Sequence, residues 1–225
     1  MKNKQTLNWV VTGAKGNVGK ALVDSLVERK NRVFGIDYGQ NQKIEKVNDF
    51  YVYLEADLTN MDDVRRIFND IQSKSGIISV WINIVGGFAM GASIEETTTA
   101  DWSKMMSLNF QSALNCSRAV LPHMKKNGYG RIMNFGSIAA DQGMAMAGPY
   151  SVSKAAVLSL TKTTALEGKK HGITCNAIVP TIIDTPQNRT AMPGVDFITW
   201  TTPVAIADKI ITVVNSESNG EMIHV

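Results

Sequence analysis

A glycine-rich turn between a buried strand and an amphipathic helix most constrains how this chain can fold. Residues 8–12 form a short apolar run, and a helical pattern extends from about Val18 to Lys30. In such a turn the glycines permit a tight bend, close approach of a pyrophosphate, and packing of helix on strand. The helix N-terminus offers unpaired N–H groups to phosphates. We predict a nucleotide site rather than a plain turn, formed by Gly13, Lys15, Gly16, Asn17, Val18 and Gly19.

The second predicted strand, residues 32–37, ends in an acidic side chain that bears on cofactor choice. Asp37 in this position would accept hydrogen bonds from ribose hydroxyls and repel a 2′-phosphate, which favours NAD(H). Lys15 in the glycine turn favours NADP(H), because a base there could meet that phosphate. We predict a preference for NAD(H), with NADP(H) as the alternative. Without the glycine turn, Asp37 would be interpreted as a solvated carboxylate.

The rest of the chain alternates between strand and helix patterns without a linker or a repeat. This alternation predicts a single domain over residues 1–225, of the α/β class, with a doubly wound parallel sheet of about seven strands and helices on both faces. The apolar run 77–85 is typical of a strand buried on both faces, and Gly86 follows it at the expected ligand-binding edge. The remaining strands are predicted at 50–55, 130–135, 174–179 and 222–225, and the helices at 61–72, 101–126, 150–168 and 203–215.

Composition narrows the class of protein further. Lys and Arg number 23 against 20 Asp and Glu, and no basic stripe indicates nucleic acid or an anionic membrane as a partner. No apolar run is long enough to span a bilayer or to form a signal peptide. Cys116 and Cys175 lie far apart in apolar segments, which favours buried thiols and a cytoplasmic location. The three histidines are scattered, so no metal site is predicted.

Tyr150 and Lys154 are spaced so that a phenol and an ammonium share one face of a predicted helix. A neighbouring ammonium favours the phenolate, lowers the pKa of the tyrosine and makes it a usable acid or base. By itself the pair is more often a solvated helix face. The loop just before it contains Met144 and Met146, which could be core filler or the wall of a pocket.

Taken together, the glycine turn, Tyr150 and Lys154 closely resemble the classical short-chain dehydrogenase/reductase family over nearly the whole chain. The resemblance implies a Rossmann-type sheet, a nicotinamide cofactor and catalysis by Asn109, Ser137, Tyr150 and Lys154. Tyr150 would transfer a proton to a carbonyl or imine substrate, and Lys154 would lower its pKa and bind the nicotinamide ribose. Ser137 would polarise the substrate, and Asn109 would support a water chain to Lys154. The expected activity is hydride transfer between NAD(H) and a small molecule.

The same resemblance implies further contacts. Two predicted helices, 101–126 and 150–168, would pair across a two-fold axis in a homodimer or homotetramer, although their apolar faces could equally be buried within one chain. The segments 88–98 and 190–201 would cover the substrate. Asp57 could contact adenine or only begin the turn before the next helix. The cofactor residues implied besides the glycine turn and Asp37 are Tyr38, Asp57, Leu58, Asn83, Val85, Gly86, Tyr150, Lys154, Pro180, Ile183 and Thr185.

Two departures from the usual family pattern suggest an alternative substrate. Asn17 stands where the family has glycine, and Gly16 precedes it. This glycine spacing, Gly86-Gly87-Phe88 and the segment 184–201 are similar to dihydropteridine reductases, which lack the serine present here as Ser137. We therefore keep reduction of quinonoid dihydropterin as an alternative. A non-catalytic regulator that binds a nicotinamide cofactor is the second.

Overall fold

Eight strands form one sheet in the order β3-β4-β2-β1-β5-β6-β7-β8, within a computed structural model that describes residues 7–225. The first six residues of the predicted domain lie outside the described part. All neighbouring strands are parallel except β3 and β4. The predicted α/β class and doubly wound sheet are therefore confirmed. The strands are β1 Asn8–Thr12, β2 Arg32–Asp37, β3 Ile44–Lys46, β4 Tyr51–Glu55, β5 Val80–Asn83, β6 Gly130–Phe135, β7 Ile173–Val179 and β8 Met222–His224.

Helices cover both faces of this sheet because the central strands are apolar on both sides. In β1, Val10 joins a core shared with α2 and α4, whereas its neighbours Trp9 and Val11 join a core shared with α1 and α8. None of the helices in residues 7–225 has the length and apolar character needed to cross a membrane. The helices are α1 Asn17–Glu28, α2 Met61–Ser75, α3 Thr99–Met105, α4 Ser112–Asn127, α5 Ala139–Gln142, α6 Gly148–Gly168, α7 Pro186–Ala191 and α8 Pro203–Val214.

The helix predicted over residues 101–126 contains a π-helical segment, Met106–Gln111, between α3 and α4. The helix begins earlier than predicted, because the N-cap of α3 is Thr98. Asp101 completes a capping box with it, since each side chain bonds the other residue's backbone N–H. The π-helical segment carries Asn109 and buries it.

The strand order reverses at β1, which lies between β2 and β5. In such sheets ligands bind beyond the carboxyl ends of the strands at this point. The buried Thr12 hydroxyl joins the two strand ends, because it accepts hydrogen bonds from the backbone N–H groups of Ile84 (3.0 Å) and Val85 (3.2 Å). The glycine turn and the segment after β5 therefore lie side by side.

Candidate active site

The glycine turn between β1 and α1 has the shape expected of a phosphate site. Gly13 has a φ of +68°, and a Cβ atom on Gly19 would collide with the Gly13 carbonyl oxygen. The N-cap of α1 is Gly16, so no side chain caps the first N–H groups of this helix. The first turn also contains no acidic residue. The positive end of the helix therefore meets no competing carboxylate of its own, and this turn fits a pyrophosphate.

The two residues predicted to determine the preference between NAD(H) and NADP(H), Asp37 and Lys15, lie together at the end of β2. The Asp37 carboxylate accepts hydrogen bonds from the backbone N–H groups of Lys15 (2.8 Å) and Tyr38 (2.9 Å). The Lys15 ammonium lies 3.8 Å from the centre of the Tyr53 ring. An acidic group and a basic group thus flank the same edge of the turn.

Lys154 is a buried cation in α6. Its Nζ donates a 2.7 Å hydrogen bond to the Phe135 carbonyl at the end of β6, and burial lowers its pKa to about 8. A Cβ atom on Gly86 would lie 3.1 Å from this Nζ and 2.6 Å from Asn109 Oδ1. The glycine at position 86 therefore allows these two polar side chains to approach the segment after β5.

Tyr150 lies half-buried, four positions before Lys154 in α6, with its ring edge-on to Phe88 (centroids 4.9 Å apart). Burial raises the pKa of its phenol, and the interaction with the Ser137 hydroxyl acts in the opposite direction. The prediction that Lys154 lowers this pKa is therefore wrong for this geometry. The loss of hydration disfavours the phenolate, and the ammonium bonds the Phe135 carbonyl instead.

Asn109 connects the helices of the site to the segment after β5. Its Oδ1 accepts from the Gly87 N–H (2.8 Å), and its Nδ2 donates to the Gly87 carbonyl (3.1 Å) and to Ser153 Oγ (2.9 Å). Ser153 in turn donates to the Tyr150 carbonyl (2.7 Å). The amide thus holds α6 and residue 87 in place; the water chain to Lys154 stays a prediction.

Comparison with known proteins shows the family to which this chain belongs. The family model described as short chain dehydrogenase matches residues 8–195. The chain belongs to the short-chain dehydrogenase family. It is accordingly an NAD(P)-dependent oxidoreductase, as the resemblance implied.

Several known proteins are similar to this chain. A 3beta-hydroxysteroid dehydrogenase of Mediterraneibacter gnavus is 32% identical over 185 residues, which cover 79% of this chain and 66% of that protein, just under two thirds of its length. The structure of ElxO with NADP bound has a TM-score of 0.88 at 24% identity, and covers 98% of this chain and 97% of that one. The ligand-free aldohexose dehydrogenase of Thermoplasma acidophilum has a TM-score of 0.85 at 26% identity, and covers 97% and 92%.

Some residues predicted to contact the cofactor of this short-chain dehydrogenase are engaged elsewhere. Asn83 accepts from the Trp81 indole (2.9 Å) and donates to Asn134 (2.8 Å), so its buried amide stabilises the strand ends. Asp57 accepts from the backbone and hydroxyl of Thr59 and so begins the turn before α2, as its alternative interpretation proposed. Leu58, next to it, is buried.

The segment after β7 contacts the residue that follows Ser137. The Pro180 carbonyl accepts from the Ile138 N–H (3.1 Å). The Thr185 hydroxyl caps α7 by accepting from the Asn188 N–H, and the Asn188 amide donates to the Ile183 carbonyl (2.8 Å). Contacts of Pro180, Ile183 and Thr185 with a cofactor stay predictions.

Sequence reasoning missed four groups that support the site. They are the Thr12 hydroxyl, the Phe135 carbonyl, the Ser153 hydroxyl and Gln187, whose Oε1 accepts from Asn17 Nδ2 (3.1 Å). The position of Thr12 immediately before Gly13 was the one available signal. The other three groups act through contacts between distant parts of the chain.

Proposed function

We propose that this short-chain dehydrogenase interconverts a small carbonyl or imine compound and its reduced form, with Tyr150 as the general acid and base. This proposal rests on how the four residues are arranged. Tyr150 lies beside Ser137, and Lys154 and Asn109 converge on Gly86 at the edge of the sheet next to the glycine turn. A bound nicotinamide dinucleotide supplies or accepts the hydride.

Each residue of the set has a distinct role in the proposal. The Ser137 hydroxyl polarises the substrate oxygen, and the Tyr150 hydroxyl gives that oxygen its proton. Lys154, whose ammonium bonds the Phe135 carbonyl, binds the ribose of the nicotinamide cofactor. Asn109 is a positioning residue, which holds α6 through Ser153.

Replacing Tyr150 by phenylalanine tests this proposal. The change removes the hydroxyl and keeps the ring against Phe88, so turnover of the reduced cofactor with a panel of carbonyl substrates should fall by roughly 10²–10⁴-fold. Tyr129→Phe is the matched control, since Tyr129 is also half-buried but precedes β6 at the opposite edge of the sheet. Near wild-type turnover in Tyr150→Phe would remove this residue from the chemistry.

The choice between NAD(H) and NADP(H) depends, in our proposal, on opposing effects of Asp37 and Lys15. The comparisons do not support the predicted NAD(H) preference, because similar structures are of ElxO with NADP bound and of a tyrosine-to-phenylalanine variant of ElxO with NADPH bound. Asp37→Ala should raise the affinity for NADPH relative to NADH, since it removes a charge that repels the 2′-phosphate. Lys15→Ala should shift the ratio the other way. Unchanged ratios of the two dissociation constants in both variants would refute this assignment.

Two alternative functions are separated by the same assays. No dihydropteridine reductase is among the relatives described above, and Ser137 beside Tyr150 favours a carbonyl oxygen. Quinonoid dihydropterin still belongs in the substrate panel, and its selective turnover would favour the pterin alternative. Binding of reduced cofactor without turnover of any substrate would favour a regulator.

We also propose a homo-oligomer formed through α4 and α6. Val120, Val157 and Leu158 are buried within the chain. The apolar side chains left for such contacts are the half-buried Leu114, Leu121 and Leu160 and the exposed Val152 and Leu166. Sedimentation should show a dimer or a tetramer, and a strict monomer would contradict the proposal.

A further inference from the structure

The two segments that flank Tyr150 contain no ionisable side chain other than its own. Residues 86–94 and 143–150 consist otherwise of apolar residues, glycine, proline and Ser93, whose hydroxyl is engaged by Glu96 (2.7 Å). Five large apolar side chains in these segments remain 39% to 69% exposed. We call these five the apolar wall: Phe88, Met90, Ile94, Met144 and Met146.

Contacts between the two segments make the apolar wall one surface beside Tyr150. The Phe88 ring touches the Tyr150 ring. The Gly91 N–H donates a 2.8 Å hydrogen bond to the Met146 carbonyl, which joins the segments directly. Ile94 lies against Gly148, where a Cβ atom would come within 3.2 Å of its Cγ1. Met144 and Met146 are exposed and so are not core filler, and they lie in the segment that leads into Tyr150.

The charged residues in the other predicted cover, 190–201, and just before it already have hydrogen-bond partners. Arg189 donates to the Asp184 carboxylate (2.5 and 2.7 Å), and its guanidinium lies 4.9 Å from the centre of the Phe197 ring. The Asp196 carboxylate caps the turn at Ile198. A substrate anion or a row of hydroxyls would therefore lose hydration without gaining a charged partner from these groups.

Clustered exposed apolar side chains at a cleft mark a ligand-binding surface, and methionine side chains adapt to ligands of different shape. We propose that this site takes neutral carbonyl compounds whose skeleton is largely hydrocarbon, and that the apolar wall binds that skeleton. The inference rests on the function proposed for Tyr150, because the wall is identified as the substrate side through its contact with that residue.

A homologous series of 2-alkanones, from butanone to nonanone, tests the proposal with NADPH or NADH as the reductant. For each methylene that the wall covers, kcat/KM should rise by about fourfold, which corresponds to about 0.8 kcal/mol. Dihydroxyacetone and pyruvate are the polar comparators and should react more slowly than butanone. Preference for these polar ketones, or no dependence on chain length, would overturn the proposal while leaving the role of Tyr150 intact.

A charged substitution in the wall provides the second arm. Met90→Glu should lower kcat/KM for nonanone by about tenfold or more and affect butanone much less, because a carboxylate resists the desolvation that the longer chain requires. Val204→Glu is the matched control, since Val204 is 61% exposed on α8 and Met90 is 59% exposed. Equal effects of the two substitutions would contradict the inference.

Direct binding separates failure of this inference from failure of the proposed function. Calorimetric titration of Tyr150→Phe with the same alkanones does not depend on turnover. Suppose that the wild-type protein reduces no ketone. If the affinity of Tyr150→Phe for the alkanones then rises with chain length, and falls when Met90→Glu is added to this variant, the apolar wall is supported and the proposed reaction is refuted. If affinity is independent of chain length, the wall is refuted.

Discussion

The buried Lys154 should reduce the stability of the free protein at neutral pH, and this prediction can be tested without any substrate. Burial lowers the pKa of Lys154 to about 8, against an ordinary lysine value of about 10.5. Each unit of difference corresponds to 1.36 kcal/mol. Relative to strongly alkaline pH, the charged form of Lys154 therefore destabilises the folded state at pH 7 by about 3 kcal/mol.

The sign of the pH dependence follows from the number of bound protons. Between pH 8 and about 10.5 the unfolded chain keeps a proton on this lysine that the folded chain has released, so this group makes the free energy of unfolding rise with pH. Lys154→Met removes this contribution. The stability of Lys154→Met relative to wild type should therefore be about 2 kcal/mol lower at pH 9.5 than at pH 7.

Urea denaturation followed by tryptophan fluorescence measures this difference at pH 7, 8 and 9.5. Burial raises the thiol pKa values of Cys116 and Cys175, so both thiols lower the stability of either protein at alkaline pH. Subtracting the free energies of unfolding of the two proteins cancels this contribution. Lys162→Met, at an exposed position of α6, serves as the control. A stability difference between Lys154→Met and wild type that does not change with pH, or that changes in the opposite direction, would refute the reasoning.

Three further substitutions test features that support the site. Asn109→Ala removes three buried or half-buried hydrogen bonds and should lower the free energy of unfolding by about 3 kcal/mol in urea denaturation. Gly19→Ala would drive a Cβ atom into the Gly13 carbonyl oxygen, so fluorescence titration should show weakened cofactor binding, and wild-type affinity would contradict this. Thr98→Ala removes the N-cap of α3 and should lower stability by about 1 kcal/mol, whereas an unchanged denaturation midpoint would show that the capping box is dispensable.

The alternation of apolar strands and amphipathic helices sufficed to predict the fold because seven of the eight strands carry buried or half-buried apolar residues. The exception, β3, is exposed at all three positions and is held at the edge by pairing with β4, so its sequence shows no period that indicates a strand. The π-helical segment likewise has no signal in the sequence that predicts it. Met106–Gln111 contains neither proline nor glycine, and its distortion accompanies the contacts of Asn109 with Gly87 and Ser153.

In the site, the features predicted from residues alone were those confined to one stretch of chain. The glycine turn and the spacing of Tyr150 and Lys154 are of this kind, whereas Ser137 and Asn109 were identified through the family resemblance. The predicted direction of the shift in the Tyr150 pKa was wrong, because the shift depends on burial of the phenol by segments distant in sequence. The contact of Lys154 with the Phe135 carbonyl was not predictable for the same reason.

The π-helical segment makes the long helix vulnerable in a way that ordinary helices are not. A π turn holds about one residue more than the 3.6 of a regular α turn, so deleting one residue within Met106–Gln111 would restore regular winding and leave α4 in its packing register. The same deletion would rotate the amide at position 109 away from α6. A chain shortened at this point would keep the packing of α4 and lose the hydrogen bonds that Asn109 makes with Gly87 and Ser153.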